Sequence, residues 1–415
     1  MIKLLLTVTL AKYLNSAIMF LIPVLLPKYL NEVEMGMVAT YQSLFTLLVP
    51  LIGVNTASYL LRFYDGSEKR TNLIIYSSII IILAALLSVL AVLNISYPYI
   101  REIIQFPLLW TAITAFSVCI WQVLFLYITL MQVKLDAKNY SITILVRSLA
   151  IVFCLYILLN SQVGWQSRVL SVLLADVLIV LVFLFAKKVT FSLKIRNGLR
   201  IAKLSLNYCL PLVPHTLAMW VLFSIDIFFI NYYLGLEYSA VYFIGNIFAL
   251  VIGILQDAII SVITPIYFQR FTAKLMSKKD FIIYLFVFFT FLAVSSFIVY
   301  LISPYVLWFL YGEDYAEATT VIPYLLAGFV FNGIYKYVAI IIFYIKRTKF
   351  MILCSSIAAI TNIFLNYKYI EDGIVGISIS TSISFFISFM TALILIYYQT
   401  KKLNIFSVKE KVTGV

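Results

Sequence analysis

Charge is what this 415-residue chain has least of: Asp, Glu, Lys and Arg make up 11% of it, against 64% hydrophobic residues. So few charges cannot cover a water-soluble surface, and a mean hydropathy of +1.07 excludes a soluble globule. The single histidine, His215, rules out a histidine metal cluster or a relay of several histidines. Zinc, haem and other cofactors are therefore not expected. The four cysteines, Cys119, Cys154, Cys209 and Cys354, are isolated within apolar runs, with neither a disulfide framework nor metal-ligand spacing. No ATP-binding motif is present, so energy for any transport must come from an ion gradient or from consumption of the substrate on the far side. No loop is long enough to hold a soluble domain. Lys3 followed by Leu4 to Leu10 has the look of a signal peptide. The apolar run continues past Lys12 to Leu26 without a small-residue cleavage site, and a retained first helix is expected.

What the chain does have is long apolar runs. Cutting them at charge clusters gives twelve spans, at 5–27, 37–61, 72–93, 107–131, 141–160, 166–186, 206–234, 239–268, 281–302, 321–345, 350–367 and 374–398. With the N-terminus in the cytoplasm, cytoplasmic segments hold 23 of the 30 basic residues, and the outer loops hold only Lys28, Arg101, Arg168 and Lys368. This alternation predicts cytoplasmic N- and C-termini, and it accounts for the net charge of +13 without invoking nucleic acid. The longest cytoplasmic loop falls mid-chain. It predicts an N-terminal six-helix bundle at 1–186, a linker at 187–203, a C-terminal six-helix bundle at 204–398 and a cytoplasmic tail at 399–415. Tyr29-Leu30 matches Tyr233-Leu234, and later spans recur at offsets of 205 to 215. Two bundles of six helices have the same orientation, which predicts a pseudo-two-fold axis along the membrane normal and a cavity between two lobes.

Six ionisable residues lie within the spans: Lys12, Arg147, Asp176, Asp226, Asp257 and Lys336. Each costs about 3 kcal/mol at a helix centre unless it faces a cavity or a partner. Gly328, Asn332 and Lys336 share a helical stripe, as do Asn246, Gly253, Asp257 and Thr264, and Lys12, Asn15 and Met19. One reading is a hydrophilic cavity binding a polar, anionic solute through Lys12, Arg147, Lys336 and Asn332. The other is that the three cations and three acids pair off as structural ion pairs or snorkel to the interface. The acids offer H⁺ or Na⁺ coupling, with Asp226, Asp257 and Asp176 as candidates. In the stretch 207–270, Pro211 and Pro214 fall inside an apolar run, where the carbonyls they orphan need other partners. Asn362 and Asn366 share a face with Ser355 and Ala359, and the last span is crowded with serines, a pattern for helix packing. Trp and Tyr residues near span ends read as interfacial anchors, while Trp220 lies inside a span.

The segments 208–235 (YCLPLVPHTLAMWVLFSIDIFFINYYLG), 308–325 (WFLYGEDYAEATTVIPYL), 343–350 (FYIKRTKF), 361–384 (TNIFLNYKYIEDGIVGISISTSIS) and 49–64 (VPLIGVNTASYLLRFY) carry a resemblance. In order and spacing they resemble the O-antigen and capsule repeat-unit flippases of the multidrug/oligosaccharidyl-lipid/polysaccharide exporter superfamily. The likeness covers nearly the whole chain. It implies an all-α polytopic fold of twelve transmembrane helices in two pseudo-symmetric six-helix bundles around a central, V-shaped cavity. The implied substrate is an undecaprenyl-pyrophosphate-linked oligosaccharide of lipopolysaccharide or similar surface-polysaccharide biosynthesis, moved across the bacterial inner membrane. A glycan polymerase of the same pathway is an implied partner, besides membrane lipids. The family's cationic lumen fits Lys12, Arg147 and Lys336, and its seventh-helix prolines and acid fit Pro211, Pro214 and Asp226. The basic residue that often follows that acid is Ile227 here, so Asp226 needs another partner or is free to titrate. A cation-coupled multidrug exporter of the same superfamily is the nearest alternative. A membrane glycan polymerase is the enzymatic one, but the longest outer loop, 303–320, lacks the basic residues such an enzyme calls for.

Overall fold

In hydrocarbon a backbone N–H or C=O finds no water, so a chain crossing it must satisfy its polar groups within itself, and the apolar runs coil into helices. The computed structural model describes residues 2–186, 195–347 and 349–403, and among these all regular structure is helical. In chain order the helices are α1 (Ile2–Leu25), α2 (Glu32–Gly53), α3 (Thr56–Phe63), α4 (Glu68–Ile104), α5 (Leu108–Val133), α6 (Ala137–Asn160), α7 (Gln166–Ala186), α8 (Ile195–Cys209), α9 (Val213–Ser224), α10 (Asp226–Tyr233), α11 (Leu236–Thr272), α12 (Lys278–Tyr311), α13 (Ala318–Tyr344), α14 (Lys349–Tyr369) and α15 (Gly373–Leu403). Eleven helical stretches are long and apolar enough to cross a membrane. The last, Lys349–Gln399, joins α14 to α15 through a 3₁₀ turn and at 51 residues holds two crossings. The described residues form a multi-pass, all-helical membrane protein, with length in these stretches for twelve crossings.

The internal repeat is visible in where helices begin. α4 and α12 start at 68 and 278, and α5 and α13 at 108 and 318, both 210 apart; α6 and α14 start at 137 and 349, 212 apart. Pro98 inside α4 and Pro304 inside α12 stand 206 apart, each near its helix end. In each repeat the third long span is outward-facing and the fourth is central. α4 and α12 are mostly exposed, whereas α5 and α13 have 67% and 83% of their apolar window buried.

The chain forms two compact units, Met1–Leu217 with Leu234–Ala240, and Ala218–Tyr233 with Val241–Val415. The expected linker at 187–203 lies outside the described residues over 187–194, and its remainder is the start of α8; the tail lies outside them from 404 onward. The chain leaves the first unit within α9, so α8 packs with the first unit. The reason is local: Ala202 and Cys209 of α8 enter an apolar core with Tyr59, Leu60, Ile74 and Leu130. Cys209 Sγ also donates to the Asn55 carbonyl at 3.3 Å.

In the first unit α1 packs along α6, α6 along α7, and α2, α5 and α7 pack on one another. The α2 N-terminus carries a capping box: Asn31 accepts from the Glu34 N–H while Glu34 reaches back to the Asn31 N–H. The span expected at 37–61 is broken. Val54 and Asn55 both adopt left-handed backbone, φ 46° and 54°, between α2 and α3. Such a conformation is costly for a β-branched residue. It is held by the Val54 N–H to Pro50 carbonyl bond, by Cys209, and by Asn55 Nδ2 donating to Thr216 Oγ1 at 3.4 Å. In the second unit α13 is the buried axis, packed against α12 and α15, with α14 on α15.

Pro211 and Pro214 also sit differently from the expectation of prolines inside one long helix. Pro211 lies in the 3₁₀ turn Leu210–Leu212, and Pro214 is the second residue of α9. There a proline costs little, because first-turn N–H groups have no intrahelical acceptor anyway.

Close backbone approach is tested most directly at Gly36 of α2, where a Cβ would collide with the Leu236 carbonyl. Neither backbone can retreat, so Gly36→Ala should cost about 1–3 kcal/mol. Gly198→Ala on α8 meets only ordinary contact with Tyr76 at 3.4 Å and should be neutral or better. Melting temperatures of the two variants in detergent check the contrast.

Candidate functional site

The second unit holds a carboxylate with no basic partner among the described residues. Helix α9 stops at Ser224 and α10 restarts at Asp226, which sets that side chain at a helix start in the interior, 2% exposed. Asp226 Oδ1 accepts from Asn366 Nδ2 of α14 at 2.7 Å. Its Oδ2 accepts from Tyr242 Oη of α11 at 2.5 Å and from Thr381 Oγ1 of α15 at 2.7 Å. Behind these, Asn362 Oδ1 accepts from Asn366 Nδ2 at 3.3 Å, and Asn362 Nδ2 donates to Thr381 Oγ1 at 3.4 Å. Every member is buried, and Asn366 Oδ1 is left without a hydrogen-bond partner. No described cation pairs with Asp226. Four helices thus converge on one negative charge with hydroxyls and amides alone. The nearest groups are two hydroxyls and one amide N–H₂, all donating, which hold the carboxylate charged without neutralising it.

Asn362 and Asn366, read from sequence as packing residues, belong to this centre. Tyr242 and Thr381 are members that the sequence did not single out. Thr381 had a signal in the crowd of hydroxyls along the last span, whereas Tyr242 had none.

The second polar locus of this unit lies between α11 and α13. Lys336 Nζ and Asp257 Oδ1 pair at 2.6 Å, with the aspartate side chain 65% exposed. Going inward, the amides of Asn332 and Gln256, 1% and 0% exposed, have no partner at either polar atom. Glycines make the helices meet here: a Cβ on Gly333 would lie 2.5 Å from Gln256 Oε1, and one on Gly253 would lie 2.9 Å from the Phe329 ring. A buried polar group left unpaired costs about 1–3 kcal/mol, so water or a polar solute is needed at these amides.

In the first unit Arg147 of α6 grips Asp176 of α7 with two bonds, Nε to Oδ1 at 2.6 Å and Nη2 to Oδ2 at 3.0 Å. The Trp121 ring of α5 lies 3.8 Å from its guanidinium carbon. Asp176 is wholly buried and Arg147 is slightly exposed. Lys12 on α1 is exposed, with no described acid paired to it. Of the candidate cations, then, Lys12 and Arg147 belong to the first unit and Lys336 to the second; of the candidate acids, two are ion-paired and only Asp226 is not.

No family model and no curated protein matches this sequence. Solved structures do. The lipid II flippase MurJ in an inward closed conformation matches at TM-score 0.71 and 16% identity over 94% of this chain and 87% of that one. An inward-facing multidrug resistance MATE family transporter of the MOP superfamily matches at TM-score 0.68 and 17% identity over 95% and 96%. A MOP superfamily transporter from Pyrococcus furiosus matches at 0.56 and 14% over 97% and 96%. At these identities what is shared is the fold.

Proposed function

We propose that this protein is a flippase that moves a lipid-linked oligosaccharide, an undecaprenyl-pyrophosphate-linked repeat unit of O-antigen or a similar surface polysaccharide, across the bacterial inner membrane. It does so by alternating access, driven by H⁺ or Na⁺ binding at Asp226. The observation that carries the coupling is the Asp226 carboxylate, buried among Tyr242, Asn366 and Thr381 with no cation of its own. A charge so placed is held by three hydrogen bonds but is not neutralised, and a coupling cation completes it. The substrate class rests on the sequence likeness and on the basic residues within the spans, Lys12 and Arg147 in the first unit and Lys336, with Asn332, in the second. The unpaired amides of Asn332 and Gln256 favour a polyhydroxylated ligand, since they offer both donors and acceptors. The lipid tail stays in the bilayer, and the N- and C-termini face the cytoplasm.

A cation-coupled multidrug exporter is the second reading, favoured by the same Asp226 centre and by the fold shared with a multidrug transporter. Deleting the gene separates the two. The flippase reading expects surface glycan to vanish while lipid-linked repeat units accumulate facing the cytoplasm; drug sensitivity with intact glycan would establish the exporter instead.

Two variants test the residues. Asp226→Asn keeps the shape of the centre and removes its charge, so the purified protein should fold but lose its Na⁺- or pH-dependent thermal shift, and glycan display should fall at least about tenfold. Arg147→Ala strips a buried acid of its partner and should cost about 3–5 kcal/mol, seen as lost protein in immunoblots of membranes. Arg147→Met combined with Asp176→Leu should restore abundance. Glycan display in that double variant then reports on substrate binding alone, and full display removes Arg147 from the substrate site.

A further inference from the structure

Arg168 is counted with the outer loops by its place in the sequence, yet the structure sets it in the first turn of α7 with its side chain turned into the protein, 8% exposed. A guanidinium brings five N–H donors and a permanent charge. Only one of its groups finds an acceptor: Nη2 reaches Gln42 Oε1 at a long 3.5 Å, and Nη1 is buried without a partner. Beside it stands Tyr41 of α2, its ring centre 5.9 Å from the guanidinium carbon, and the Tyr41 hydroxyl is buried without a partner. Ser117 of α5 lies next to that hydroxyl, and its own hydroxyl is also buried without a partner. Three donors from three mutually packed helices are therefore left unsatisfied in one place.

The charge count points the same way. Arg147, Arg168 and Asp176 are the ionised groups that act on Tyr41. Both oxygens of Asp176 are taken by Arg147, so no described carboxylate is bonded to the second guanidinium, and two cations share one acid. A water molecule could accept from one or two of these donors, but it would leave a full positive charge buried, which is several kcal/mol more costly than a compensated one. A single-atom anion can accept from several donors at once, asks for no acceptor in return and neutralises the excess.

We infer that the first unit contains a resident anion site, built from Arg168 Nη1, Tyr41 Oη and Ser117 Oγ, that takes a halide such as chloride. The site is distinct from the substrate and coupling residues proposed above. Its role is to hold α2, α5 and α7 together around the Arg147–Asp176 pair.

The test is the thermal stability of the purified full-length protein at constant sodium and ionic strength, with gluconate replaced by chloride or bromide. Halide should raise the melting temperature by about 3 °C or more. In Arg168→Gln that rise should disappear, while stability in gluconate stays the same or improves because the uncompensated charge is gone. Tyr41→Phe retains the charge and removes one donor, so it should weaken the halide response without abolishing it; it serves equally if Arg168→Gln does not fold. Equal melting temperatures in gluconate, chloride and bromide overturn the site, as does a full halide response in Arg168→Gln. Stabilisation by inorganic phosphate or pyrophosphate but not by halide also overturns it, and would place the substrate's head group there instead.

Discussion

A charge in hydrocarbon must be paired, hydrogen-bonded or wetted, and the three acids of the spans meet this constraint in three ways. Asp176 is dry and held by a bidentate guanidinium stacked on Trp121, a geometry only arginine can supply. Asp257 keeps two-thirds of its side chain exposed and takes a lysine as partner. Asp226 is as dry as Asp176 but receives only neutral donors. The first arrangement ties α6 to α7, and the second ties α11 to α13 with the aspartate left uncovered by other described residues. The third leaves a charge that an ion can complete, which is why ion coupling is proposed at Asp226.

The architecture was legible in the sequence because it follows from a strong and simple cause. Apolar runs of membrane length, interrupted by charge clusters, leave a chain few alternatives, and the offsets near 210 between repeats could be read from the runs themselves. Helix breaks were less legible. Nothing in VPLIGVNTAS announces two successive left-handed residues at Val54 and Asn55, since neither is glycine. The break depends on Cys209 and Thr216 bonding to Asn55 from more than 150 positions away. The Ser224–Asp226 interruption has the same character: local sequence permits a continuous helix, and tertiary hydrogen bonds to Asp226 reward its interruption.

The candidate site was legible where it carried formal charge and, among its neutral groups, at Asn332, Asn362 and Asn366. Lys12, Arg147, Asp176, Asp226, Asp257 and Lys336 stand out against an apolar background, but which of them pair depends on helix neighbours that periodicity does not give. The neutral members, Tyr242, Thr381 and Gln256, are hidden among 30 tyrosines and a serine-rich last span. Arg168 was misplaced for another reason: its backbone is near a helix start, but its long side chain carries the charge inward.

Ion coupling at Asp226 requires that the site exist in two forms, because an ion shifts a conformational balance only by its difference in affinity between states. Moving a population from 1:99 to 99:1 takes about 5.5 kcal/mol of such difference. The described arrangement is the donor-rich form, with three hydrogen atoms aimed at the carboxylate. The means of reversing it are present. Thr381 Oγ1 also lies 3.2 Å from the Ile377 carbonyl, so its proton can swing away and expose a lone pair. The free Oδ1 of Asn366 can replace its Nδ2 by rotation of the amide. The two changes turn two donors into two acceptors without moving the backbone, and a cation would then be surrounded by oxygens. In the proposed cycle, therefore, the side chains of α14 and α15 are the first to feel the ion. A state in which those helices shift against α10 is the one whose affinity for it must differ.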